Sequence, residues 1–377
     1  MKKLPIALSL VVGSGICCSI GISKSAIADE LPFTLSGHAR VNYGHQDWLI
    51  PDFRDGFEFE SFKLGVAGEF DKFSYKAEYR WYENVDFNTV RFADLTYHFN
   101  DRTEITGGIT QTPFGLQPFA SNSFWFSVNY YLGFEDDYDA GVKINHTRGN
   151  WDFQAAYFMN DEYNDAAKFS RYSFDVADDG EFRNSEDGQC NIRANYTGRF
   201  IRGATTEIGA SYQYGNILNL DTSSSGDMNA YALHMRHTQN DFKVELQYIN
   251  YEYNLAAPEG QADDRLALSS FTFPFLAAAD GQTYSANLIY SVPYDFDNIS
   301  SMTCYSEFSL AKGDDASGKN SSQWVNGCSV GWDKLFMYVD SIRGKNMWFS
   351  GGPGIGLDIG GLQDTTHRLN INVGIYF

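Results

Sequence analysis

The sequence predicts an all-β chain, a transmembrane antiparallel β-barrel of sixteen strands behind an export signal. Three observations predict it. Short segments of strict apolar/polar alternation recur along the chain. The connectors between them alternate between long and short. Beyond residue 28, no apolar run approaches the ~18–20 residues that a membrane-spanning helix needs. A chain with these features enters a membrane as strands.

Met1–Ala28 has a basic start (Lys2, Lys3), an apolar centre from Leu4 to Ile22 and a small-residue stop at Ala26-Ile27-Ala28. It reads as a cleaved secretory signal with Asp29 as the first mature residue. Ile16 is too large for the position before a lipid-bearing cysteine, so Cys17 and Cys18 are read as part of the signal. Residues 29–377 then form one outer-membrane barrel domain.

The first dyad sets Phe33, Leu35, Gly37, Ala39, Val41 and Tyr43 against Thr34, Ser36, His38, Arg40 and Asn42. Further strands are predicted at residues 62–70, 73–81, 93–99, 105–109, 138–146, 151–159, 192–200 and 206–214, then at 231–235, 242–248, 284–292, 302–310, 328–332, 335–341 and 369–377. Long connectors (44–56, 83–88, 111–137, 161–188, 215–227, 254–281, 312–322, 343–365) alternate with short ones such as Asp71-Lys72 and Asp333-Lys334. A soluble sheet has no reason to keep that parity. A barrel with tight turns inside, long loops outside and an even strand count does. A propeller or solenoid would repeat a motif at a fixed period, and none is present.

The closing strand is the clearest dyad. Leu369, Ile371, Val373, Ile375 and Phe377 alternate with Arg368, Asn370, Asn372, Gly374 and Tyr376. One face suits lipid and the other water. Its aromatic end at Phe377 is the ending by which barrel-assembly machinery reads a terminal strand. Trp81, Trp151, Trp324, Trp332 and Tyr376 fit interfacial belts.

The chain carries 28 Lys+Arg against 48 Asp+Glu. Without Lys2, Lys3 and Lys24 the balance is 25 against 48, or −23, which excludes a nucleic-acid partner. The histidines show no metal-ligand spacing with the cysteines, and no nucleophile elbow is present. The sequence predicts no enzyme, cofactor or metal. Cys304 and Cys328 face one another if their segments form a hairpin centred near Ala316; a disulfide and two separate thiols both fit.

The connector from Gln111 to Asp137, QTPFGLQPFASNSFWFSVNYYLGFEDD, is aromatic-rich and has no Lys or Arg. Its start is shared with the end of VRFADLTYHFNDRTEITGGITQTPFGLQ (Val90–Gln117), a run that resembles the hallmark region of the phosphate-selective porin O and P family. The resemblance implies a trimeric sixteen-stranded diffusion channel whose third external loop folds inward. Position as the third external connector, together with composition, puts Pro113, Phe114, Gly115, Phe119, Trp125, Tyr130, Tyr131, Glu135, Asp136 and Asp137 at the constriction. In that family phosphate preference rests on Arg along the wall and Lys in the loops near the constriction, and this connector departs from the pattern in carrying neither Lys nor Arg. The aromatic residues serve either as packing anchors or as a slide for sugar rings.

By alternation, Arg40, Lys63, Lys76, Arg80, Lys143, Arg193, Arg236 and Lys243 face the lumen, together with Glu69, Glu78, Asp94, Glu104, Glu207, Glu245 and Glu307. The acidic excess falls in external connectors: residues 135–139, 161–165, 175–187 and 263–264. An acidic mouth predicts cation preference or weak selectivity. The expectation is thus a homotrimeric barrel in a Gram-negative outer membrane, surrounded by lipid and lipopolysaccharide and passing small solutes or ions. The alternative is a barrel with a closed lumen that binds surfaces through its acidic loops.

Overall fold

The computed structural model describes residues 33–294, 297–314, 320–350, 354–357 and 365–377. The expected signal at residues 1–28 and the hairpin centre near Ala316 lie outside them. Sixteen strands form one closed antiparallel ring: β1 (Phe33–Gln46), β2 (Asp55–Phe70), β3 (Phe73–Tyr82), β4 (Phe87–Asn100), β5 (Thr103–Gln111), β6 (Tyr138–Arg148), β7 (Trp151–Asn160), β8 (Phe182–Gly198), β9 (Ala204–Asn219), β10 (Ser224–Gln239), β11 (Phe242–Asn254), β12 (Asp280–Ser291), β13 (Ile299–Gly313), β14 (Asn320–Trp332), β15 (Leu335–Lys345) and β16 (Thr366–Tyr376). Each pairs with its neighbours in sequence, and β16 closes on β1 from His38↔Tyr376 to Gln46↔Arg368. Closure leaves no barrel edge with unpaired backbone groups. The last residue takes part, since Gly37 and Phe377 exchange backbone hydrogen bonds of 2.8 and 3.1 Å. A Cβ at Gly37 would sit 2.4 Å from the Phe377 ring, so glycine there makes room for the aromatic end.

Every predicted dyad falls on a strand, with those at 192–200, 284–292 and 369–377 overrunning its end by one or two residues, and several strands run further at the long-connector end. β8 begins at Phe182, whereas the alternation starts at Ile192. Beyond the lipid the outer face needs no apolar residue, so the period-two signal fades while backbone pairing continues.

The barrel is apolar outside and polar inside. Leu64, Leu95, Ile144, Leu233, Leu246 and Leu288 are exposed on its outer surface, while His38, Asn42, Glu78, Gln213, Glu245, Gln247, Glu307 and Asn372 are buried within. At the short-turn end the outer surface carries ring pairs: Phe70–Phe73 at 5.2 Å, Tyr97–Phe99 at 4.9 Å, Trp151–Tyr196 at 5.0 Å and Phe242–Tyr290 at 4.7 Å. Trp151, Trp324 and Trp332 are exposed outward as belt residues would be. Tyr376 is a correction: it belongs to the polar dyad of β16, and its ring meets His38 inside, 5.3 Å away. Cys304 and Cys328 lie directly opposite on β13 and β14 and are joined by a disulfide. Cys190 is an exposed free thiol.

Two β-bulges alter the inward pattern. The β1/β2 register shifts between Arg40 and Val41, leaving Glu60 without a partner position. The β3/β4 register shifts between Glu78 and Tyr79, leaving Arg91 extra. An extra residue re-aims its neighbours, and both charges are buried on the lumen side.

The external connectors do more than loop back. Asp175–Val176, Arg265–Ser270, Phe273–Ala278 and Gly354–Ile355 form a second, four-stranded sheet from three connectors. Beneath it lies an apolar cluster that includes Phe174, Leu266 and Phe275 from the connectors and Ala230, Ile249, Tyr251, Ile289 and Ile342 from the inner wall of β10–β15. One side of the upper lumen is therefore packed solid. Open space remains beside β1–β4 and β16.

Candidate functional site

The connector from Gln111 to Asp137 crosses the barrel interior and divides it. Having no strand partner, its backbone is satisfied by inward side chains of the far wall. Ser211 on β9 accepts from the Gly115 N–H at 3.0 Å, and Gln247 on β11 accepts from Leu116 at 2.6 Å. Glu307 on β13 accepts from the N–H groups of Asn122 (2.5 Å) and Ser123 (3.0 Å), and Asp340 on β15 accepts from Phe124 (3.1 Å). Gly115 has φ +57°, and a Cβ there would lie 2.5 Å from Gln247, so glycine fits both the turn and the close approach.

The middle of this connector makes one helical turn, Val128–Tyr131, capped by Ser127, whose Oγ accepts from the Asn129 N–H at 3.2 Å. Pro113, Phe114, Tyr130 and Tyr131 are buried, and Phe114, Val128, Leu132 and Phe134 join the apolar cluster. Burying side chains of this size stabilises the docked connector by about 1.5–3 kcal/mol each. Glu135 is buried too, accepting from the Ala120 N–H and the hydroxyls of Ser121 and Ser127. Burial pushes its carboxyl up to about 7, against those hydrogen bonds.

A cavity of about 840 Å³ remains between this connector and the wall of β1–β4 and β16. Arg40, Lys63, Arg80, Arg91 and Arg368 line one side; Phe119, Phe124, Trp125 and Phe126 line the other. Rings and cations meet: Arg40 lies 5.2 Å from the Phe124 ring centre, Arg91 lies 5.9 Å from that of Phe119 and Arg368 lies 4.1 Å from that of Trp125. Arg80 and Arg91 also sit over Tyr172, at 4.8 and 5.1 Å. Burial raises the Tyr172 hydroxyl well above its ordinary range, so it stays neutral.

These cations are partly compensated. Arg40 pairs with Glu60, Lys63 and Arg80 pair with Glu78 at 2.8 and 2.6 Å, and Arg91 pairs with Asp136, which also accepts from Tyr138 and Tyr172. Arg368 stands apart. Its Nε has no hydrogen-bond partner among the described residues; it meets the Trp125 ring and Asn370, and Glu58 acts on it from beyond salt-bridge distance.

Of the eight predicted wall cations, Arg40, Lys63 and Arg80 line this cavity. Four others fasten the connector: Lys143 donates to Gln111 O at 2.8 Å, Arg193 to Gly115 O at 2.7 Å, Arg236 to Gln117 O at 3.2 Å and Lys243 to Asn122 Oδ1 at 2.9 Å. Lys76 is half exposed, 3.7 Å from Asp94. Among the predicted connector residues, Phe119, Trp125, Tyr130, Tyr131 and Asp136 reach the cavity, while Phe114, Gly115, Glu135 and Asp137 face packed protein. Sequence reasoning missed two lining cations. Arg368 sat on the polar dyad of β16 and could have been chosen; Arg91 depends on a bulge that alternation does not reveal.

The acidic mouth is corrected in part. Glu135, Asp136, Asp137, Asp139, Asp161, Glu162 and Asp175 are all buried, withdrawn beneath the connectors and not ringed around an opening. Among the described connector acids, Asp47, Asp52, Glu83, Asp86, Asp165, Glu181, Asp187, Asp221, Glu259, Asp263 and Asp314 remain exposed.

No protein-family model matches the sequence, and no curated protein matches it. Solved structures do. The trimer form of OmpT, an outer membrane protein of Vibrio cholerae, aligns over 92% of this chain and 99% of its own, with 13% identity and a TM-score of 0.56. The OmpF of Salmonella typhi, solved with daunomycin, aligns over 92% and 97% with 14% identity and a TM-score of 0.59. The anion-selective porin of Comamonas acidovorans aligns over 92% and 99% with 11% identity and a TM-score of 0.57. The fold is that of outer-membrane porins.

Proposed function

We propose that this chain is an outer-membrane porin, a passive channel for small hydrophilic solutes whose constriction prefers anions. The observation that carries the preference is the cavity itself. Five basic side chains face a connector segment of uncharged aromatic residues, and most of the carboxylates that would oppose an anion are buried elsewhere. Four acids meet them, Glu58, Glu60 and Asp136 on the lining and Glu78 beside Lys63 and Arg80, leaving a surplus of one positive charge (5 − 4). Guanidinium and ammonium groups replace the hydration that an anion loses on entering a narrow passage. The rings on the opposite side add a surface for anions with an apolar body, so benzoate is expected to bind better than acetate. Phosphate preference in particular belongs to this reading, as does removal of residues 1–28 on export. So does assembly as a trimer in lipid and lipopolysaccharide, after recognition of the strand ending in Phe377.

The test is the zero-current potential of the purified protein in a planar bilayer under a tenfold KCl gradient, followed by block of the chloride current with phosphate, acetate and benzoate. An anion-signed potential supports the reading. A cation-signed one refutes the preference while keeping the channel.

A second reading, a closed barrel that binds surfaces, draws on the four-stranded external sheet and the rings of Phe271, Phe273 and Trp348 that reach the cavity from above. No conductance from correctly folded protein would favour it.

A further inference from the structure

We propose that the buried acidic cluster under the external connectors is a binding site for one hard divalent cation, Ca²⁺ before Mg²⁺. Its ligands are Asp137, Asp139 and Asp175, with Glu162 beside them. The inference goes beyond the channel reading and does not require it.

The geometry comes first. One carboxylate oxygen from each of Asp137, Asp139 and Asp175 lies within 4.8 Å of the other two. Two oxygens bound to one Ca²⁺ at ~2.4 Å can be at most ~4.8 Å apart, so the spacing suits a single ion. The three come from different elements: Asp137 from the end of the crossing connector, Asp139 from β6 and Asp175 from the connector between β7 and β8.

Unsatisfied oxygens give a second observation. Asp137 Oδ2 accepts from Thr112 at 3.0 Å and Asp139 Oδ2 from Gln189 at 3.2 Å, but Oδ1 of each has no partner among the described residues. Glu162 Oε1 accepts from the Ser173 N–H at 2.8 Å, and its Oε2 likewise has none. These side chains are 6%, 2% and 6% exposed. Buried carboxylate oxygens without donors call for a proton or a cation. Arg171 pairs with Asp161 and Asp175 and leaves Asp137, Asp139 and Glu162 without a cationic partner among the described residues.

The donor set decides the class of ion. All ligands are carboxylate oxygens, with no His or Cys in the group, which selects a hard cation. A crowded, irregular set of carboxylates from three elements suits the variable coordination of Ca²⁺ better than the octahedron Mg²⁺ demands. Bound there, the ion would tie the crossing connector to the barrel and to the external cover. Asp136, next to one ligand, holds Arg91 at the cavity, and Phe174, next to another, lines it.

The experiment titrates CaCl₂, and separately MgCl₂, into the full mature chain, refolded in detergent without lipopolysaccharide and stripped with EDTA, by isothermal calorimetry. One Ca²⁺ per chain is expected with Kd on the order of 10⁻⁴ M or tighter. Asp139→Asn is expected to weaken it at least tenfold, and Asp263→Asn, at an exposed connector acid, to leave it unchanged. No saturable heat up to about 10 mM, on the weak side of the range for such sites, or an unaltered Kd in Asp139→Asn, would overturn the site. Mg²⁺ binding as tight as Ca²⁺ would overturn the choice of ion. If Asp139→Asn does not fold, Asp175→Asn replaces it. Tryptic cleavage after Lys168 in the wild-type chain supplies a readout without substitution: Ca²⁺ should slow it severalfold over EGTA, and equal rates would count against the site.

Discussion

Arg368→Gln isolates the charge of one lining cation. Arg368 packs on Trp125 at 4.1 Å and has no carboxylate within salt-bridge distance among the described residues, Glu58 acting on it only from further off, so glutamine removes a charge without breaking an ion pair. An ion passing about 5 Å from the guanidinium feels about 0.8 kcal/mol even at the dielectric of water, from 332/(80 × 5). An anion loses that attraction and a cation is freed from the same repulsion, so the anion-to-cation permeability ratio should fall on the order of tenfold. Salt does not erase the effect, because the Debye length at 0.1 M is about 10 Å, twice that separation. The assay is the zero-current potential under a tenfold KCl gradient, with Lys72→Gln in an exposed periplasmic turn as the control. A wild-type potential in Arg368→Gln would refute the claim that this side chain faces the permeating ion.

Glu307→Ala removes three hydrogen bonds to the crossing connector, each worth about 1.5–3 kcal/mol to a charged acceptor. Single-channel conductance should rise, while gel mobility of the folded barrel stays normal; unchanged conductance would mean that the tether is not needed. Phe124→Ala with Trp125→Ala should bring block by benzoate down to that by acetate, and retained discrimination would remove the rings from solute binding. Thiol labelling of the denatured mature chain should modify Cys190 alone before reduction and Cys304 and Cys328 as well after it; three labels without reductant would contradict the disulfide. Intact mass of protein from the outer membrane should correspond to a chain starting at Asp29, and a mass retaining Lys24 would move the cleavage site.

What the sequence determined is what lipid and water impose residue by residue. Lipid demands an apolar side chain at every second position, so the dyad from Leu369 to Phe377 and its fifteen counterparts were visible one strand at a time. Connector parity then gave an even, closed barrel, and the uncharged aromatic run from Thr112 to Phe134 marked the segment that crosses it. Tertiary structure decided the rest, because inside the barrel no uniform solvent dictates a pattern. Alternation assigns a face but not a depth, so Arg40 and Arg80 could not be told from Arg193 and Arg236, which hold the connector from behind. A one-residue bulge turns Arg91 inward against the pattern of its strand. Asp137 and Asp139, and Asp175 far from them in sequence, look like solvated loop charge until three elements fold over them. Burial there is a property of the assembled connectors, and no local stretch of residues encodes it.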